Sequence, residues 1–300
     1  MQVRVARWQL CAAGLVVIAA AAVAGCSSTS SSRAGSASSS TGAAGSSTPA
    51  AANALDEVKL AAKTASDANS YTGTMNLQGT LNPGAANSAG ASGGLSMVGT
   101  FAEQLHPTLL VSADITSYSM LGTSLPGGLD ELITPTTMYL KSPQLTQELH
   151  LTKPWLTMSL ADASKNSGLN LSQLINQATG SGPLTQAQLL GASSSVHEVG
   201  TGSIGGVPVT EYAGTIPVAK AIATLSGGAK AEMEQMNAAA KLTTENYTVW
   251  IDGQHIMRKA VLTGTGSVVT ETVTMTFTSV NQPVNITVPP ASQSTPLPTS

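Results

Sequence analysis

Cys26 carries the most definite chemistry in this 300-residue chain. It ends the run Val23-Ala24-Gly25-Cys26, directly after the apolar stretch 10–22, and Arg4 and Arg7 precede that stretch. A basic start, a short apolar core and small residues at a cut site are the layout of an export signal. A cysteine at the cut changes the product. The run resembles a lipobox, in which the thiol takes up a diacylglycerol and becomes the first residue of the mature chain. The apolar stretch falls short of the ~20 residues that a spanning helix needs, and no basic stop-transfer flank follows it, the segment after Cys26 being rich in Ser, Thr, Gly and Ala. The expectation is an exported protein held by lipid on the extracytoplasmic face of the cell membrane. Two or more acyl chains anchor a protein stably, at about 0.8 kcal/mol per buried methylene.

Other reactive side chains are sparse. Cys11 lies inside the signal, so the mature chain has no free thiol, no disulfide and no cysteine metal site. His106, His150, His197 and His255 stand far apart, without the close spacing of a metal-ligand pair. Gly200-Thr201-Gly202-Ser203-Ile204-Gly205 has the spacing of a dinucleotide loop, but strand rather than helix is expected to follow it, so it reads as a hairpin turn. Serine is abundant, yet no G-x-S-x-G elbow occurs. Asp114, Asp130, Glu131 and Asp162 are the available acid–base candidates, and nothing in their spacing brings two together. Losing Arg4 and Arg7 from 13 basic side chains deepens the imbalance against 16 acidic ones, which is unlike a nucleic-acid binder. No cofactor, no metal and no catalytic group are expected.

The elements that must position any site follow from periodicity. Residues 27–52 are Ser/Thr/Gly/Ala-rich with one charge, Arg33. They read as a flexible tether with a reach of about 25–30 Å. Leu55, Val58, Ala62, Ala65 and Ala68 then recur at helical spacing, with Asn53 as candidate cap. From Tyr71 the period becomes two, and strands are expected over 71–81, 95–105, 109–119, 137–141 and 155–160. Helices are expected over 169–191 and over 218–241, the latter broken at Gly227-Gly228. Strands return at 196–200, 207–214, 246–251, 255–263 and 268–280, with Asp252-Gly253 as a hairpin turn. In the last strand Val273, Met275 and Phe277 alternate with Thr272, Thr274, Thr276 and Thr278. A sheet with one apolar and one threonine-rich face needs a cover for the apolar face. The expected fold is therefore α+β: a strongly curved antiparallel sheet with helices covering its concave apolar face. The division is 1–25 signal, 26–53 acylated cysteine and tether, 54–290 folded domain, and 291–300 disordered tail.

Several segments resemble one family in order and spacing. These are Met138-Tyr139-Leu140-Lys141-Ser142-Pro143 followed by Lys153-Pro154-Trp155-Leu156; Gly205-Gly206-Val207-Pro208-Val209-Thr210-Glu211-Tyr212; Val249-Trp250-Ile251-Asp252 followed by Ile256-Met257-Arg258-Lys259; and Asn281-Gln282-Pro283-Val284-Asn285-Ile286-Thr287-Val288-Pro289. Together they are similar to actinobacterial lipoproteins of the LppX/LprG type (LppX, LprA, LprF, LprG), within the LolA-like superfamily. The resemblance spans roughly 55–290. It implies a half-barrel sheet closed by helices around a hydrophobic cavity, and binding of lipids or lipoglycans that are moved between membranes. No catalytic residues come with it. The long Gly-rich loop 82–94 and the Gly227-Gly228 break depart from the family pattern at the expected cavity entrance.

On this reading the cavity wall is the core itself. Its expected lining is Met75, Leu77, Met97, Phe101, Met138, Leu140, Trp155, Leu174, Met233, Met236, Val249, Ile251, Val273, Met275 and Phe277. Methionine-rich walls adapt to varied acyl chains. Gly168, Gly180, Gly191 and Gly227-Gly228 are candidate hinges. Trp250 divides evenly between core and pocket lining. Arg258 and Lys259 read as a solvated strand face, with an anionic headgroup as the sharper alternative. Expected partners are a lipid or glycolipid ligand, the membrane through acylated Cys26, and an envelope transporter or acceptor protein, with the chain itself a monomer. The alternative is a non-catalytic surface lipoprotein with a filled core, acting as an interaction module.

Overall fold

A computed structural model of the chain describes residues 49–81, 94–120, 123–162, 192–225, 230–231, 233–234, 237–238, 241–267 and 269–297. Cys26 and its signal, the loop 82–93, and the expected helix 169–191 with Leu174 lie outside these residues. So do Gly168, Gly180, Gly191, Gly227-Gly228 and Met236.

Helix α1 (Pro49–Ser66) opens the described chain. Proline at a first helical position loses no hydrogen bond, because that N–H has no intrahelical partner anyway. Asn53 is therefore inside the helix rather than its cap. The helix starts five residues before the expected domain boundary at 54 and takes up the end of the expected tether. Its stripe Ala54, Val58, Ala61 and Ala65 is buried, and it lies against the strands Ser194–Ile204, Leu242–Asp252 and Met257–Gly266.

Among the described residues thirteen strands form one large, open, curved sheet. The first run is β1 (Ser70–Leu81), β2 (Gly94–Gln104), β3 (Leu110–Met120), β4 (Thr123–Ser124), β5 (Leu129–Ile133), β6 (Thr137–Lys141) and β7 (Trp155–Ser159). The second is β8 (Ser194–Ile204), β9 (Val207–Pro217), β10 (Leu242–Asp252), β11 (Met257–Gly266) and β12 (Val269–Val280). Each run meanders antiparallel, and β1 zips onto β12 to join the two. Short helices α2 (Pro143–Glu148) and α3 (Val218–Thr224) interrupt the strands. Helix α3 lies against β9 and β10.

The sequence-based elements depart from the structure in four further places. Leu129–Ile133 is a strand that the reading passed over, because Asp130 and Glu131 break its apolar alternation. Helix α2 was also missed; it is shorter than two turns, too short to show a period. Strand β10 begins four residues earlier than expected. The tail expected to be disordered from 291 instead forms a 3-10 turn (Ala291–Gln293) and strand β13 (Ser294–Pro296). Strand β13 runs parallel to β7, with Ser294 opposite Trp155.

The two glycine-marked turns behave as their residues demand. Gly205 and Gly206, between β8 and β9, have φ of 58° and 83°. Two consecutive positive φ values are what a tight hairpin requires, so the 200–205 run is strand end and turn. After β10, the Asp252 carboxylate accepts the N–H groups of Gln254 (2.8 Å) and Ile256 (3.0 Å). That side chain closes the hairpin that Asp252-Gly253 marks.

Candidate functional site

Side chains alternate along a strand, so direct cross-strand partners share a face. One apolar row runs Tyr212–Val249–Ala260–Met275–Met75–Gly99–Ile115–Leu129 from β9 to β5. A second runs Tyr247–Leu262–Val273–Leu77–Met97–Tyr118. A third runs Phe277–Gly73–Phe101–Ala113–Glu131–Leu140–Leu156, and a fourth runs Tyr71–Glu103–Val111–Ile133–Met138–Met158. All of these are buried apart from half-buried Leu262 and Val273, which pack against the rest. Ile251 joins the same core.

Most of the expected lining residues therefore share one continuous apolar face. Met75, Leu77, Met97, Phe101, Met138, Leu140, Val249, Ile251, Met275 and Phe277 belong to it, with Val273 at its margin. Trp155 does not. It precedes buried Leu156 and Met158 by odd steps, which turns its ring to the opposite face, where Lys141 Nζ stands 5.5 Å from the ring centroid. Met233 is half-buried, outside the core group.

Aromatic rings fill the places where glycine leaves room. Phe101 and Phe277 meet edge to face at 5.9 Å and 84°, and Tyr71 meets Phe277 at 5.7 Å. Gly73 lies between the two phenylalanines in its row, and a Cβ there would stand 2.8 Å from the Phe101 ring. Gly214 lies under the Tyr247 ring in the same manner. The Tyr71 hydroxyl donates to the Ala65 carbonyl oxygen and so ties the end of α1 to this face. Where α1 meets the sheet, Thr64, Ala65, Tyr71, Ile256, Met257, Phe277 and Val280 border an apolar crevice of about 10 Å³, the room of one water.

Two carboxyl groups interrupt the apolar face. Glu103 and Glu131 are 3% and 6% exposed, and Glu103 Oε2 and Glu131 Oε1 meet no hydrogen-bond partner. Burial pushes each up to about 8, because a charged form has no water there to solvate it. Glu103 was missed in the sequence, although 97, 99, 101, 103 and 105 share one parity and the alternation points it inward. Glu245 and Glu271 flank Gly264 on neighbouring strands. Burial raises both, and the Glu271 charge adds to the shift at Glu245.

The opposite face carries a polar row with a tryptophan near each end. It reads Glu211–Trp250–Lys259–Thr276–Thr74–Thr100–Asp114–Asp130–Lys141, and Trp155 follows beside Lys141. The Trp250 indole N–H donates to Glu211 Oε2 at 3.1 Å, and Lys259 Nζ stands 4.5 Å from its ring centroid. Trp250 is thus a strand-face residue rather than part of the apolar core. Lys259 covers that ring. Arg258 instead grips buried Asp252, with Nε and Nη2 each 2.7 Å from Oδ2. Burial works to raise the Asp252 carboxyl. The Ile256 and Gln254 N–H groups and Arg258 outweigh it and hold the group below its ordinary value.

The sequence's acid–base candidates do not form a reactive set. Asp114 and Asp130 do meet, directly opposite on the polar face, and Lys141 bonds Asp130 at 2.6 Å. Glu131 points to the other face, and Asp162 bonds Ser159 at 2.6 Å. His255 meets Glu57 of α1 at 2.9 Å, and His197 meets the Ser195 carbonyl. Among the described residues no three His, Cys, Asp or Glu side chains gather as a metal site, and no helix is long and apolar enough to cross a membrane.

No protein-family model matches the chain. A Streptomyces griseus protein described as an uncharacterised 31.2 kDa protein of the rplA–rplJ intergenic region is 30% identical over 110 residues. That match spans 36% of this chain and 36% of the relative. The crystal structure of the Mycobacterium tuberculosis lipoprotein LppX matches 79% of this chain and 99% of its own, at 18% identity and a TM-score of 0.45. That of LprF from Mycobacterium bovis matches 79% of this chain and 97% of its own, at 15% identity and a TM-score of 0.46. MucB matches 82% and 62%, at 12% identity and a TM-score of 0.33.

Proposed function

We propose that the chain is a lipid-binding envelope lipoprotein of the LppX/LprG type. Export and acylation at Cys26 anchor it to the outer face of the cell membrane, and the apolar face of its sheet receives the acyl chains of a lipid or glycolipid. The observation that carries this reading is the set of continuous apolar rows from β9 to β7, built from aliphatic, aromatic and methionine side chains. Burial of acyl chains on such a face is favourable by about 25 cal/mol per Å² of apolar area, and it needs no covalent chemistry. Helical cover over the concave side parts to admit the chains, and an envelope transporter or acceptor protein takes the cargo onward.

Two experiments separate the parts of this reading. Radiolabelled palmitate fed to cells expressing the full chain enters the protein and is lost in Cys26→Ala, if the anchor is right. Lipid extraction of the purified protein tests the ligand. Diacyl species in the extract support the reading, and an empty extract with no uptake of added phospholipid or glycolipid contradicts it.

One observation favours a second reading. The crevice between α1 and the sheet, at about 10 Å³, holds no acyl chain. If the interior is filled throughout, the protein is a surface lipoprotein that docks to other envelope proteins, and the empty extract is its signature.

A further inference from the structure

Glu103 and Glu131 are the unexplained groups on the apolar face. An acid enclosed in a core without a partner is costly, and such groups in native proteins usually have a role or a partner. The pair stands in adjacent rows, on β2 and β5, with only Val111 and Ala113 of β3 between them. Two strand spacings and two residues put their Cα atoms roughly 12 Å apart. Each has one carboxyl oxygen enclosed and unpartnered. Burial alone sets the Glu103 shift, and Tyr71, its cross-strand neighbour, feels the charges of both Glu103 and Asp67. Across from Glu131 stand Ala113 and Leu140. Among the described residues no cation pairs with either carboxyl; Lys141 and Lys259 belong to the opposite face.

We propose that Glu103 and Glu131 are the polar anchor points of the acyl-ligand site, each donating a carboxyl O–H to an ester carbonyl oxygen of a bound lipid. The inference rests on the lipid-binding reading above and adds its chemical selectivity. The ligand is an ester lipid that brings no anionic group beside these two acids, since among the described residues no cation pairs with either. Burial keeps both acids protonated through neutral pH, so they donate where an ionised carboxylate could only accept. The donor is preorganised in an apolar setting, so the selectivity is for ester over ether linkage.

The test uses protein purified from bacteria expressing the full chain, and phosphatidylcholine vesicles doped with dioleoylglycerol or with its dialkyl ether counterpart. Transfer of each lipid to the protein is measured at about pH 6 and about pH 9.5, on either side of the titration. The expected result is roughly a tenfold preference for the ester at the lower pH, the scale of one or two hydrogen bonds. That preference disappears at the higher pH. Glu103→Gln/Glu131→Gln still donates and does not titrate, so it keeps the preference at both values. Glu103→Leu/Glu131→Leu binds both lipids without preference. Equal binding of ester and ether by the unaltered protein overturns the inference and leaves lipid binding standing. A preference that survives in the Leu variant also overturns it. Failure to take up either lipid overturns the lipid-binding reading and the inference with it. The Gln variant keeps the test decisive should the Leu variant not fold.

Discussion

Lys153 ties down Ser294. Its ammonium group donates to the Ser294 carbonyl oxygen at 3.0 Å and to the Ala291 carbonyl oxygen at 2.9 Å. This holds the chain terminus where β13 can pair with β7. The Lys-Pro-Trp motif thus has a structural use: Lys153 clamps the returning chain, and Trp155 starts the strand it pairs with. Lys153→Met should speed amide hydrogen exchange across 291–297 while leaving the β1–β12 ladder unchanged. Unchanged exchange at 291–297 would show that the pairing alone holds the segment.

Arg258 and Asp252 make a second such lock. The Asp252 side chain is 4% exposed and that of Arg258 18%, so truncating the arginine leaves an enclosed carboxylate with backbone donors only. Breaking a pair of this kind costs about 3 kcal/mol. Arg258→Ala should show that loss in chemical denaturation at neutral pH. The loss should shrink in acid, because a carboxyl with a lowered folded value contributes stability that is lost as pH falls through that value. A destabilisation equally large in strong acid would contradict this account.

The buried glutamates predict the opposite slope. Their folded values near 8 exceed the unfolded carboxyl value, so the folded state holds protons that the unfolded state releases. Stability is then fullest below about pH 4 and falls as pH rises toward about 8. Thermal unfolding should shift downward across that window. Glu103→Gln/Glu131→Gln should flatten the shift, leaving the smaller contribution of Glu245 and Glu271. A double variant with the same pH profile as the unaltered protein would contradict the burial of these acids.

Glycine under an aromatic ring gives a further test. In Gly73→Ala the new methyl meets the Thr276 carbonyl oxygen as well as the Phe101 ring, and in Gly214→Ala it meets the Tyr247 ring, an overpacking worth about 1–3 kcal/mol. At Gly200 nothing lies within 4 Å, so Gly200→Ala should be neutral or slightly stabilising. Denaturation midpoints for the three variants check the ordering.

The strands that carry the apolar face were legible wherever their alternation was clean. Met75 with Leu77, Met97 with Phe101, and Met275 with Phe277 were placed on one face by parity alone. Parity sets Trp155 and Trp250 opposite the apolar residues of their strands, yet Trp155 was read as pocket lining and Trp250 as core or lining, and the lysines over their rings come from the neighbouring strands. Glu131 hid strand β5, because an acid among Leu129, Leu132 and Ile133 reads as a break when its burial is not known. The terminal strand was illegible for a different reason. Ser294–Pro296 has no apolar period, and its structure comes from pairing with β7, the Lys153 clamp and the Ser294 hydroxyl bond to the Pro290 carbonyl. Pro49 was likewise taken for tether, since the alanines after it match both a low-complexity linker and a helix.

The most direct test of lipid binding is native mass spectrometry of the protein purified from bacteria expressing the full chain, with Cys26 replaced by alanine to remove its own anchor. The account predicts a second mass envelope displaced by a diacyl lipid, reduced when Met138 or Phe277 is replaced by a large charged residue in a variant that still folds. A single envelope at the mass of the protein alone, unchanged after incubation with phospholipid or glycolipid vesicles, would contradict it.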